Sequence, residues 1–293
     1  MKMRFLIYGK GWISSQIITY LEKNKYEYIQ GNVRVNNTEE LKREIISVNP
    51  TNILCLIGRT HGKIGDVEYS TIDYLEQSGK LVENIRDNLF SQTALAIICQ
   101  SLNIHVSFIN TGCIFNYDDT HTTEIGFMEA DKPNFFGSSY SIVKGFTDQI
   151  MHLLPVCNLR IRMPITAEPN SRNFITKITK YDKICSVPNS MTVLDDFIPI
   201  IIDLSINKFV GTLNLTNPGV ISHNEILEMY KEFVDPSFTW KNFTYEEQIK
   251  ILAAGRSNNY LDTTLLTSMY PNVPDIKTSI RNTLIKCVAK EVL

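Results

Sequence analysis

Tyr140-Ser-Ile-Val-Lys144 sets a phenol four residues before an ammonium, and an upstream apolar run ends on Thr111-Gly-Cys113. On a helix, side chains at i and i+4 share a face one turn apart. With a hydroxyl from a strand end, such a pair can deliver a proton to a ketone as hydride arrives and an alkoxide forms. A phenol is a poor acid near neutral pH unless its pKa falls, and a neighbouring cation lowers it. Lys144 is assigned that task, together with holding a nicotinamide ribose. Thr111 is assigned the substrate oxygen. Cys113 is the surplus group. Plain carbonyl reduction has no need of a thiol, whereas an enzyme that also moves protons at carbon has a use for one.

The elements that must position these groups are legible from pattern. Arg4 to Tyr8 is an apolar run that reads as a buried parallel strand. Gly9-Lys-Gly11-Trp-Ile-Ser14 turns it into a helix reaching about Asn24. A strand feeding Gly-x-Gly into a helix aims backbone N–H groups and the helix dipole at a pyrophosphate. Gly9, Lys10, Gly11, Trp12 and Ile13 are therefore the cofactor-binding candidates, with Ser14 a small substitute for the usual third glycine. A strand over Tyr26–Gln30 follows, then a helix capped by Asn37, then a strand over Asn52–Leu56 ending near Gly58, a further cofactor candidate. A helix is expected over Gly79–Leu102, strands over His105–Asn110 and Cys157–Arg162, and a helix over Ser138–Leu153 carrying Tyr140 and Lys144. Alternating strands and helices predict an α/β fold: a Rossmann-type doubly wound parallel sheet. The acid expected after the second strand is absent; Gln30-Gly-Asn-Val-Arg34 stands there. With no carboxylate for a ribose hydroxyl, Arg34 favours a 2′-phosphate and hence NADPH, NADH remaining possible. The alternative for Arg34 is a solvated surface arginine.

Past Met163-Pro164 the rhythm changes to shorter, polar-interrupted segments with two clear helices, His223 to Phe233 and Asp275 to Val292. The expected division is a cofactor-binding domain over 1–164, rejoined by roughly 190–218, and a smaller, interleaved C-terminal substrate-binding lobe over 165–293. Of 293 residues, 43% are hydrophobic and 20% charged, and net charge is −2. No global basic field exists, which excludes nucleic acid as the expected partner. No apolar run approaches the roughly 20 residues that span a bilayer, so no membrane association is expected. The six scattered cysteines show no metal-ligand spacing, so no metal is expected, and they suit a reducing, cytoplasmic compartment. His61 reads as a surface or supporting residue, His223 as a helix start, and Trp12 and Trp240 as packing. Arg256 is either a diphosphate clamp or a helix-end arginine.

These features resemble the extended short-chain dehydrogenase/reductases, and more closely the bifunctional nucleotide-sugar 3,5-epimerase/4-reductases of UDP-L-rhamnose synthesis, known from plants and large DNA viruses. The resemblance runs nearly the whole chain. It passes through Phe5-Leu-Ile-Tyr-Gly9, Thr111-Gly-Cys-Ile-Phe115, Arg160-Ile-Arg-Met-Pro164, Arg172-Asn-Phe-Ile-Thr-Lys177, Pro188-Asn-Ser-Met191, Ser222-His-Asn-Glu225 and Arg256-Ser-Asn-Asn259. The glycine turn departs from the family's Gly-x-x-Gly-x-x-Gly by one missing residue and a final serine. The resemblance implies a UDP-4-keto-6-deoxyglucose substrate, NADPH, a homodimer in the cytosol (the host's, for a viral chain) and substrate contacts from Thr111, Asn173 and Arg256. It also implies two acid–base groups for inverting carbons 3 and 5. These are Cys113, two residues past the threonine, and Lys183 in Thr179-Lys-Tyr-Asp-Lys183. Two other readings stand: a 4-reductase only, acting on a dTDP- or GDP-sugar, and a silent NADP-binding regulatory subunit.

Overall fold

The computed structural model describes residues 3–291. Six parallel strands build the central sheet: β1 (Arg4–Tyr8), β2 (Glu27–Gln30), β3 (Asn52–Cys55), β4 (His105–Thr111), β5 (Cys157–Ile161) and β6 (Gly211–Asn214). Their order is β2-β1-β3-β4-β5-β6, every neighbouring pair parallel. The winding direction reverses between β1 and β3. In such sheets the crevice beyond the strand C-termini at the reversal is the ligand site. Here it lies between Gly9 and Leu56.

The strands are apolar on both faces because both faces are covered. Successive residues point to opposite sides. Phe5 and Ile7 pack with Leu54, Leu159 and Leu213 under α1 (Trp12–Lys23) and α7 (Leu194–Ile206). Leu6 and Tyr8 pack with Ile53, Val106 and Phe108 under α2 (Thr38–Val48) and α4 (Ser91–Ser101). Asn37 caps α2 as expected, its side chain accepting from Glu40 N. A third cluster, built on α6 (Phe174–Ile178), α8 (His223–Phe233) and α11 (Ile276–Glu291), forms the smaller C-terminal region. The short helices α9 (Tyr245–Ile251) and α10 (Thr264–Met269) lie between α8 and α11 in the chain.

One departure bears on the site. The helix expected over Gly79–Leu102 is α3 (Leu81–Ile85) running through a π turn (Arg86–Phe90) into α4. The turn's Asn88 donates to Arg59 O at 2.9 Å and accepts from Arg59 N at 2.8 Å, while Gln92 donates to Ile57 O at 2.7 Å. Two amide side chains thus hold the loop leaving β3, beside the crevice. π turns inside helices are frequent at functional sites.

Candidate active site

The site is assembled where β4 ends and α5 (Ser139–Met151) begins. Ser138 caps α5 by accepting from Ser141 N at 3.0 Å. Ser139 N and Oγ reach Glu76 Oε1 at 2.8 and 3.0 Å, which ties the helix start to the 3₁₀ turn Ile72–Glu76. That tie brings Tyr140 against Tyr74, Leu75 and Cys113. The Thr111 hydroxyl is near enough to the Tyr140 phenol to pull its pKa down, and Thr111 Oγ1 accepts from Cys113 N at 3.0 Å. The sequence-predicted Thr111, Cys113 and Tyr140 are therefore one cluster.

Lys144 lies one helical turn further on and is 4% exposed. Its ammonium donates to Asn110 Oδ1 at 2.5 Å. Burial lowers its pKa to about 8, against the raising fields of Cys55 and Asp148. This corrects one expectation. The Tyr140 phenol is held well above its ordinary value by burial and by Cys113, with Thr111 pulling it down. Lys144 does not depress it, because Asn110 draws the ammonium towards the strand. Asn110 was not singled out from sequence. Its only signal there was its place beside Thr111.

A basic group adjoins the same 3₁₀ turn. Asp73 of the 3₁₀ turn takes Arg256 Nη2 at 2.5 Å, and Arg256 Nη1 donates to Ala254 O at 2.6 Å. Arg172 Nη1 donates to Ser70 O at 3.1 Å. Lys177, on α6, is lowered by burial and then by Arg172 and Arg256. His61 is lowered to about 4 by burial, then by Arg172, Arg59 and Lys177. It is a neutral imidazole at pH 7 among these cations, in keeping with a supporting role.

Two expectations here need correction. Lys183 is exposed. It follows α6 and sits beside Ile184, which pairs with the strand-like segment at Asn242. Lys177, six residues earlier on α6, is the lysine beside the two arginines. Asn173 is 2% exposed and caps α6. Its amide donates to Thr166 O and Glu168 O, both at 2.8 Å. Both N–H groups are spent on the protein, so none is left for a substrate.

The cofactor candidates gather at the β1–β3 crevice. Gly9 has φ +114° and a side chain there would meet Leu56 C and O at 2.9 Å, so only glycine fits. Gly11 caps α1 without a side-chain bond, and a side chain on it would meet nothing within 4 Å. The start of α1 thus has open space beside its cap, no side-chain cap and no acid in its first turn, which fits an anionic phosphate. Trp12 and Ile13 pack their side chains on the core. Ser14 is buried with its Oγ unpartnered, close-packed where the family has glycine. Lys10 Nζ donates to Asn32 Oδ1 at 3.2 Å. Arg34, its side chain 67% exposed, lies 4.0 Å from Asp87, which also takes Arg59 at 3.0 Å and Arg86 at 2.7 Å. Gly58 begins the loop that Asn88 holds.

No protein-family model matches the chain. The solved structure of the L780 UDP-rhamnose synthase of Acanthamoeba polyphaga mimivirus superposes with TM-score 0.94 at 52% identity, over 98% of this chain and 100% of that one. The bifunctional dTDP-4-dehydrorhamnose 3,5-epimerase/dTDP-4-dehydrorhamnose reductase of Arabidopsis thaliana is 44% identical over 94% of this chain and 90% of that protein. At 18% identity, the dTDP-4-dehydrorhamnose reductase of Bacillus anthracis, solved with NADP, shares the fold with TM-score 0.79.

Proposed function

The chain belongs to the bifunctional nucleotide-sugar 3,5-epimerase/4-reductases of the extended short-chain dehydrogenase/reductases, and on that premise we propose that it converts UDP-4-keto-6-deoxyglucose to UDP-L-rhamnose. The observation that carries this reading is the joining of two chemistries in one cluster. The hydroxyl of Thr111 acts on the phenol of Tyr140, and Cys113 packs on the same cluster. The 44% identity to a plant epimerase/reductase and the 52% identity to a viral UDP-rhamnose synthase support both activities and the uridine nucleotide.

A ketone at carbon 4 acidifies the protons at carbons 3 and 5. Cys113 takes a proton from such a carbon on one face, and Lys177 supplies one on the other, so the configuration inverts. Burial and two arginines make Lys177 a readier acid than an ordinary lysine. Thr111 then orients the carbonyl and Tyr140 gives it a proton. Bound at the crevice, the nicotinamide cofactor supplies the hydride. Lys144, anchored by Asn110, holds a positive charge beside it.

The 2′-phosphorylated cofactor is the better fit. Lys10 and Arg34 leave the ends of β1 and β2 and Arg59 the end of β3, and Arg34 and Arg59 share Asp87 with Arg86. Arg34→Gln combined with Arg59→Gln should raise the KM for NADPH about tenfold or more and change that for NADH little. Equal changes for both cofactors would remove the assignment. Arg256 and Arg172 suit the substrate diphosphate. Exposed apolar side chains at Leu81, Val82, Ile85, Phe90 and Phe146 support a homodimer. The six free thiols support a reducing, cytoplasmic compartment. No helix among the described residues is long and apolar enough to cross a membrane.

The test is solvent deuterium entry into UDP-4-keto-6-deoxyglucose, followed beside NADPH oxidation. Cys113→Ala should abolish exchange. Tyr140→Phe should slow oxidation by roughly 10²- to 10⁴-fold and leave exchange largely intact. Normal exchange in Cys113→Ala would refute the epimerase assignment to this thiol.

A further inference from the structure

Arg160 and Arg162 leave the same strand end with different arrangements. Arg160 is fully buried and bound by both oxygens of Asp148, at 2.9 and 2.6 Å. Arg162 is 1% exposed, yet among the described residues no carboxylate pairs with it. Its guanidinium donates to five neutral acceptors. These are Gly112 O at 3.0 Å, Ser257 Oγ at 2.9 Å, Ser257 O at 3.0 Å, Asn189 Oδ1 at 2.6 Å and Ser190 O at 3.3 Å. Its hydrogen bonds are satisfied and its charge is not. A buried cation without a counter-ion is costly, and such a charge beside a cleft marks a functional site.

The location says which charge it offsets. Gly112 stands between Thr111 and Cys113, and its carbonyl rests on Arg162 Nη1. A side chain on Gly112 would lie 3.2 Å from Arg162 Cγ and 3.3 Å from Cδ. The arginine stem therefore lies directly under the turn that presents the thiol. The acids that feel its charge are Cys113 and Tyr117. Tyr117 is occupied, its hydroxyl donating to Pro188 O at 2.9 Å. From α5, Tyr140 faces the thiol; from the 3₁₀ turn, Tyr74 packs on the same cluster with its hydroxyl donated to Glu83. Neither is a carboxylate. Arg162 is thus the cation placed to balance a Cys113 thiolate.

We propose that Arg162 is a positioning residue for the epimerase step: its buried, acid-free guanidinium carries the Thr111–Cys113 turn and stabilises the thiolate that accepts the carbon-bound proton. This rests on the reading of Cys113 as an epimerase base. When the thiol is protonated by substrate, the guanidinium loses that partner, which makes the proton easier to pass on.

The experiment is the pH profile of Cys113 alkylation by iodoacetamide in the full-length protein, read by peptide mass spectrometry, together with deuterium exchange. Two variants separate charge from scaffold. Arg162→Gln removes the charge. Asn189→Asp keeps the guanidinium in place but gives it an acid on the atom that now accepts from Nη2, at the cost of the amide's contacts to Val187 O and Asn258 Oδ1. An opposite charge a few ångströms away moves a pKa by roughly one to three units. Both variants should therefore move the alkylation midpoint to higher pH and slow labelling at pH 7 about tenfold or more. The pH profile of exchange should move with it. Arg162→Lys should restore most of the midpoint. Should Arg162→Gln fail to fold, Asn189→Asp decides alone. A midpoint unmoved in folded Asn189→Asp overturns the proposal, leaving Arg162 a scaffold residue. Undiminished exchange in Cys113→Ala would instead refute the base assignment, whatever the alkylation profile shows.

Discussion

Two lysines that look alike in the sequence separate at the residue scale once their surroundings are known. Lys177 is partly buried, and two arginines join burial in destabilising its charged form. Lys183 stands in solvent. Lys177→Met should reduce deuterium exchange by roughly 10²- to 10⁴-fold, while Lys183→Met should stay within about twofold of the parent; the reverse result would return the role to Lys183. The same contrast explains Asn173 and Asn110. Each is a polar residue in a suggestive motif. Asn173 is spent on capping α6, whereas Asn110 is the acceptor that fixes the ammonium of Lys144. Motif identity located the neighbourhood in each case, and hydrogen-bond accounting decided the role.

At the scale of elements, the site depends on two strand exits and what pins them. The exit of β4 is carried by Arg162 beneath Gly112. The exit of β3 is carried by Asn88, from the π turn. A periodic apolar pattern reveals a helix but not an inserted residue within it, so the π turn was not legible. Asn88→Ala leaves the N–H and carbonyl of Arg59 without their partner. An unsatisfied buried group costs about 1–3 kcal/mol. The variant should therefore lose stability in that range and bind NADPH several-fold more weakly, measured by denaturation and by cofactor titration. Unchanged cofactor affinity would show that the loop does not need this anchor. The elements themselves were largely readable. β1, α2 and α8 form where apolar spacing and caps put them, because each signal there is local: a buried run, an Asn37 cap, a Ser222–Glu225 capping box.

For the whole molecule, the Asp148–Arg160 pair joins α5 to β5 inside the protein. Burial acts to raise the carboxyl of Asp148, but Arg160, His152 and Asn158 outweigh it and hold it well below the usual range. A depressed carboxylate contributes stability above its unfolded value of about 3.9. That contribution is lost as pH falls through the folded value. Asp148→Asn leaves Arg160 buried and unpaired, and should destabilise the protein by about 3–5 kcal/mol near pH 7. The gap between variant and parent should hold above about pH 5 and narrow below about pH 4, as chemical denaturation across pH would report. A gap independent of pH would mean that the carboxylate's charge contributes nothing.

By itself the sequence determined the doubly wound sheet, the phosphate-facing turn at Gly9–Gly11 and the gathering of Thr111, Cys113 and Tyr140. The sheet and the turn follow from periodicity and glycine geometry, which act over short stretches of chain; the threonine and thiol come to the phenol from a different element, the end of β4, as the family motif implied. Only the tertiary structure decided which lysine faces the site, where the ammonium of Lys144 goes, and that Arg162 sits without an acid beneath the thiol. Charge, burial and hydrogen-bond partners at those positions come from residues up to 95 positions apart in the chain, such as Arg162 and Ser257. A pKa is set by that surrounding shell, which no local pattern encodes.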